Sequence, residues 1–145
     1  MRLDLPPAFF LGVYLRLAML GGVGLAVLGL GAALAPALPL VNRPPTNAYG
    51  VGQVIAGLAL FVVHELWRRR APVTEYEPFL RRAYFVLGGL AFLAGAAVFF
   101  PLGVARALTG DTALAELTVA AISLALAAVF AFALNAELAR PHDGA

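Results

Sequence analysis

From Phe9 onward the chain reads as long apolar runs separated by short polar breaks. Phe9 to Leu38 is almost uninterrupted, with Arg16 as its one charge. About 20 apolar residues suffice to cross the hydrocarbon core of a bilayer, so this run predicts a membrane-spanning helix over about 9–38. Ala33-Leu34-Ala35 imitates the small-x-small site of a signal peptide, but the run is too long for one and Pro36 follows directly. Pro36, Pro39, Pro44 and Pro45 end the run, and Thr46 or Asn47 suits the cap of the next helix. That second helix is predicted over about 48–67.

The stretch from His64 to Arg82 is the only long polar interval, and it holds Arg68, Arg69, Arg70, Arg81 and Arg82. Residues 68–77 are predicted as a loop. Thr74-Glu75-Tyr76-Glu77 has the form of a capping box, with Pro78 in the first turn of a third helix over about 78–108. Pro101 lies inside that helix and is expected to kink it. Thr109, Gly110 and Asp111 supply a turn, Asp111 or Thr112 a cap, and a fourth helix follows over about 112–139, stopped by Pro141. The fold class expected is all-α: one membrane domain, 1–145, built as an integral membrane four-helix bundle.

Composition agrees with the pattern. The chain is 62% hydrophobic and 12% charged, with a mean hydropathy of +0.90, against about 45–50% apolar and about 25% charged in soluble domains. A soluble domain of this size has too small an interior for so much apolar surface. All ten cations are arginine, and the alanine-, glycine-, leucine- and proline-rich composition reads as that of a GC-rich bacterial genome. With the N-terminal end inside, Arg2, Arg68, Arg69, Arg70, Arg81, Arg82 and Arg140 fall on the inner side, and Arg43 and Arg106 on the outer. The positive-inside rule therefore predicts a multi-pass protein of the bacterial cytoplasmic membrane with both termini in the cytoplasm.

The two halves are similar in pattern. Tyr14 and Tyr84 lie early in the first helix of each pair, and Glu65-Leu66 and Glu137-Leu138 close the second. This is what a parallel duplication of helical hairpins would leave, and also what two alanine- and leucine-rich hairpins share by composition. Small residues form stripes at helical spacing: Ala18, Gly22, Ala26, Gly29 and Ala33; Gly52, Ala56 and Ala59; Gly88, Ala91 and Gly95; Ala121, Ala125 and Ala128. Such stripes let backbones approach, within the bundle or against a partner helix.

Candidate chemistry gathers at the inner ends. Arg16 lies roughly 10 Å into the first helix at about 1.5 Å per residue, where an arginine costs about 2.5–3.5 kcal/mol unless it snorkels or finds a partner. The orientation puts His64, Glu65, Asn135 and Glu137 in the same leaflet, so an intramembrane polar cluster of these five residues is expected, with Arg16 paired to Glu65 or Glu137. Arg106 and Glu116 are neighbours across the outer turn. A b-type haem needs two ligands at matching depth, and His64 has only His142, in the C-terminal tail, as a companion. With no cysteine and no compact ligand set, no intrinsic cofactor or metal is expected. No nucleophile–base pair, phosphate loop or nucleic-acid patch is present, and neither a midplane carboxylate nor matched broken helices mark a transport pathway.

Tyr14-Leu15-Arg16-Leu17 resembles the first helix of DoxX-like four-helix membrane proteins, whose second helix carries a glutamate followed by glycines where this chain has Glu65 before Trp67. The size, the four helices and the lysine-free composition also resemble the small accessory membrane subunit of Thermus-type respiratory cytochrome bc complexes. That likeness implies a non-catalytic subunit among other integral membrane proteins, with lipids around it and quinone nearby. The other class in view is a homo-oligomeric carrier or a quinone- or lipid-binding protein centred on Arg16.

Overall fold

The computed structural model describes residues 6–34 and 46–139. Within them lie four helices: α1 (Pro7–Leu34), α2 (Thr46–Arg70), α3 (Glu77–Leu108) and α4 (Leu114–Leu138), with no strand among the described residues. Each is long and apolar enough to cross a membrane. The protein is an all-α membrane four-helix bundle. Arg2, Arg43, Arg140, His142 and the prolines from Pro36 to Pro45 lie outside the described residues.

Helix ends differ from the sequence expectation in instructive ways. The second helix continues through Arg68, Arg69 and Arg70, so the expected loop over 68–77 shrinks to 71–76. Cations at a helix C-terminus complement its dipole, and Glu65 supports two of them from one turn back. The expected capping box does not form. The cap of α3 is Tyr76, with no side-chain bond, and the Thr74 hydroxyl is buried without a partner. Nor do Asp111 or Thr112 cap α4, whose cap is Ala113, again without a side-chain bond. Gly110 takes a positive φ of 81° in the turn between α3 and α4, a conformation that favours glycine. The third helix runs on past Pro101 to Leu108; at about 1.5 Å per residue it is roughly 48 Å long, against a hydrocarbon core of about 30 Å. Its ends therefore reach the interfaces.

The helices form two hairpins. The tightest packing joins α1 to α2 and α3 to α4, and α1 lies between the hairpins, against α4 and to a lesser extent α3. The α2 backbone approaches α1 alone. A twofold axis relating the hairpins would match the α1–α4 contact with one between α3 and α2, and those two backbones do not meet.

Glycine sets the α1–α2 contact. A Cβ on Gly22 would lie 2.7 Å from the Gly57 carbonyl oxygen, and one on Gly29 would lie 2.8 Å from that of Gly50. The facing pairs are seven residues apart on each helix and run in opposite directions, as an antiparallel pair in close register requires. On α1 the expected small stripe is the packing face. On α2 it is not: Gly52, Ala56 and Ala59 are exposed, and Gly50 and Gly57 make the contact. On α4, Ala121, Ala125 and Ala128 are likewise exposed, and Val119, Ala120, Ser123, Ala127 and Phe130 are buried.

The α3–α4 contact uses a ring instead. Phe130 occupies the space where a Cβ on Gly88 would sit. Its ring centroid lies 5.4 Å from Tyr84 and 5.8 Å from Phe92, distances at which aromatic pairs attract beyond their burial. Val27 and Val119 extend this core toward α1.

Two adjacent glycines test the packing. Gly22→Ala should lower the stability of the purified protein in detergent by about 1–3 kcal/mol, because backbone is pushed by the new methyl. Gly21→Ala meets nothing within 4 Å and should be neutral or stabilising, by up to about 1 kcal/mol of helix propensity. Equal effects in thermal unfolding would contradict the close α1–α2 approach.

Candidate functional site

The polar residues at the end of the bundle where α1 and α3 begin form a chain of alternating charge. Arg16 is 6% exposed, and its Nη2 donates to Glu77 Oε1 at 2.5 Å while its Nη1 donates to the Gly12 carbonyl at 3.1 Å. The expected partners, Glu65 and Glu137, are engaged elsewhere. Glu65 takes both Nε (2.7 Å) and Nη2 (2.9 Å) of Arg68 and also Nε of Arg69 at 2.8 Å. Glu137, buried at the end of α4, faces Arg81 Nη1 at 3.3 Å. Arg68 links the groups, since its Nη1 also lies 3.9 Å from Glu77 Oε1. The order Arg16, Glu77, Arg68, Glu65, Arg69 thus alternates in sign and carries one net positive charge.

Local geometry explains the choice of Glu77. Helical side chains lean toward the N-terminus of their own helix, so Arg16 reaches toward the end of α1 that starts near Pro7. Glu77 is the first residue of α3 at that same end, where the helix dipole already favours a carboxylate. Glu65 sits one turn before two arginines of its own helix and is neutralised there. As a capping-box member, Glu77 was assigned to the backbone of α3 by its sequence context. The signal that could have found it is its position as an acidic residue at a helix start, level with Arg16.

His64 does not join this relay. It is buried, its Nδ1 donates to the Leu60 carbonyl at 2.7 Å, and its Nε2 lies 3.2 Å from the Tyr14 hydroxyl, which donates to it. Both ring nitrogens are thereby engaged within α1 and α2. Trp67 completes an aromatic group, with its ring 6.4 Å from both Tyr14 and His64. Asn135 is exposed, two residues from Glu137 and so on another face of α4. Of the five residues expected to cluster, then, Arg16 and Glu65 belong to one network through Glu77 and Arg68. His64 makes a separate pair, Glu137 belongs to Arg81, and Asn135 stands outside. At the other end of the bundle Arg106 pairs with Glu116 at 2.7 Å.

A cavity of about 60 Å³ lies within the relay, lined by Gly12, Arg16, Arg68, Thr74, Glu77 and Leu80 among others. It has room for water, and its lining offers the two to four polar partners that a buried water needs. In the connection outside the spans, Glu75 holds the Tyr76 phenol above its ordinary range through a hydrogen bond. Among the described residues no three histidine, aspartate or glutamate side chains come together as a metal site. The network's chemistry is that of ion pairs, which fix the ends of α1, α2 and α3 to one another.

The relay predicts an asymmetry. Glu77→Gln strands a buried guanidinium and should cost about 1–3 kcal/mol, less than a fully buried pair because Glu77 is 27% exposed. Arg16→Met leaves Glu77 with Arg68 and solvent, and should cost less. Combining the two should be milder than Glu77→Gln alone. A double-mutant cycle on detergent unfolding reads all three; additive losses would mean that the pair carries no coupling.

Comparison with protein-family models, with curated proteins and with solved structures found no match.

Proposed function

We propose that this chain is a non-catalytic integral subunit that packs against a larger membrane complex. The observation that carries this reading is the isolation of α2. Its backbone meets one neighbour, and its other faces expose Gly52, Ala56 and Ala59, with open space where a Gly52 side chain would be. Lipid supplies no hydrophobic drive to association, so small residues that permit close backbone approach are how a further helix would attach. The saturated relay supports the same reading, because Arg16 is held by Glu77 and Gly12 instead of being offered to a substrate. That also weighs against a carrier or quinone-binding protein centred on Arg16. Both His64 nitrogens are engaged, which favours a subunit without intrinsic haem.

Within this proposal the complex is a respiratory one, of the quinol–cytochrome c oxidoreductase type. The support is the resemblance in size, helix number and lysine-free composition. The arginine distribution supports a bacterial membrane protein with both termini in the cytoplasm. Val73, at 85% exposure in the connection between α2 and α3, suits a test of that orientation: Val73→Cys should react with an impermeant thiol reagent only in inverted vesicles, and labelling in intact cells would reverse it.

Affinity purification in mild detergent tests the function. The tagged chain should bring down other integral membrane proteins, haem-bearing ones among them, and Ala56→Phe on the open face of α2 should reduce that recovery. A lone homo-oligomer would overturn the subunit reading.

A further inference from the structure

Among the described residues, one half-buried cation has no partner. Arg81, its neighbour, faces Glu137, and Arg106 at the far end of α3 faces Glu116. Arg82 makes neither an ion pair nor a hydrogen bond among the described residues, and its Nε is buried without an acceptor. Helical spacing puts Arg82 on the same face of α3 as Phe85, Val86, Gly89 and Leu93. Those four residues form one wall of an open apolar groove of about 410 Å³. The opposite wall is α4, including Ala127, Ala131 and Leu134. Asn135, exposed and one turn beyond Ala131, lies toward the same mouth of the groove as Arg82.

We propose that this groove holds one acyl chain of an anionic phospholipid whose phosphate is taken by Arg82 at its mouth. Length supports a lipid. From Phe85 to Leu93 and from Leu134 to Leu124 the walls run roughly 12–15 Å at about 1.5 Å per residue, half of a hydrocarbon core of about 30 Å and so one leaflet. Shape supports it too. A second basin of about 500 Å³ continues toward Phe100 and Pro101, and Leu93 and Leu124 line both basins and stand between them. A partner's transmembrane helix needs an unbroken seam, whereas chains from two leaflets meet at such a ridge. Charge then makes the site one-sided. The basin toward Pro101 ends near the neutralised Arg106–Glu116 pair. One turn beyond Phe85, on the face of the other basin, stands Arg82, unpartnered among the described residues, and the planar fork of donors of an arginine matches a phosphate. The inference needs only that the chain spans a membrane, and stands or falls independently of any protein partner at α2.

Native mass spectrometry of the full chain, delipidated and titrated with phosphatidylglycerol or phosphatidylcholine of the same acyl composition, tests it. One phosphatidylglycerol should be retained in preference to phosphatidylcholine. Arg82→Gln should weaken phosphatidylglycerol about fivefold, as expected for one arginine at the membrane surface, and leave phosphatidylcholine unchanged. Arg82→Lys should keep most of the preference, and Ala128→Phe, which fills the groove, should weaken both lipids. Arg70→Gln removes an exposed arginine away from the groove and should have little effect. An unchanged preference in Arg82→Gln overturns the proposal. So does an equal loss in Arg70→Gln, which would assign the preference to diffuse surface charge. A photo-crosslinker at Ala128 that captures a protein in place of lipid in native membranes would also overturn it.

Discussion

Close backbone approach in a solvent that does not drive helices together is the constraint on which this structure rests. Lipid tails are as apolar as leucine, so an apolar helix gains little by leaving them for another. Contact has to come from surfaces that fit at short range. Between α1 and α2 the fit is glycine against glycine, with Gly22 and Gly29 meeting Gly57 and Gly50 at separations that leave no room for a methyl. Between α3 and α4 a glycine receives a ring, Gly88 opposite Phe130. Helix α1 is common to every other contact, and the hairpins would part without it.

The charged residues complete what packing leaves loose. Contacts between α1 and α3 are sparse along their length, and the Arg16–Glu77 pair joins them at one end. The pair sits where α1 and α3 begin, near enough to the interface for Glu77 to stay partly hydrated and deep enough for Arg16 to be sealed. Its neighbours alternate in sign, so every arginine of the chain lies against a carboxylate. The same end of the bundle leaves Arg82 without a partner among the described residues, on the helix face that carries an apolar groove. On α3 the paired Arg81 and the unpartnered Arg82 are adjacent, so a tied cation and one without a partner among the described residues lie at the same level.

Much of this was legible in the sequence, and the failures have physical causes. Span length and arginine bias are strong signals because lipid penalises charge steeply, and they gave four helices and the level of the polar ends. Arg16 was marked by its cost alone. Its partner, Glu77, is not legible there, because pairing depends on rotation about the helix axes, which span patterns leave free. The same freedom misassigned the α2 stripe: alanine and glycine are so frequent that Gly52, Ala56 and Ala59 look as suited to packing as Gly50 and Gly57. Thr74 and Glu77 have the spacing of a capping box, yet ion pairing to two arginines outcompeted the backbone for Glu77. Depth alone makes Glu65 a partner for distant Arg16, whereas Arg68 and Arg69 on its own helix need no loop closure to reach it.

The guanidinium of Arg16 faces the bundle and is neutralised there by Glu77. Solid-state NMR on the protein in bilayers measures this directly, through dipolar coupling of the Arg16 guanidinium nitrogens to the Glu77 carboxyl carbon and to lipid phosphorus. Strong coupling to Glu77 is expected, in keeping with the 2.5 Å contact, and none to phosphate. Coupling to phosphorus with none to Glu77 would mean that Arg16 snorkels to the headgroups and that the hairpins are not joined by charge.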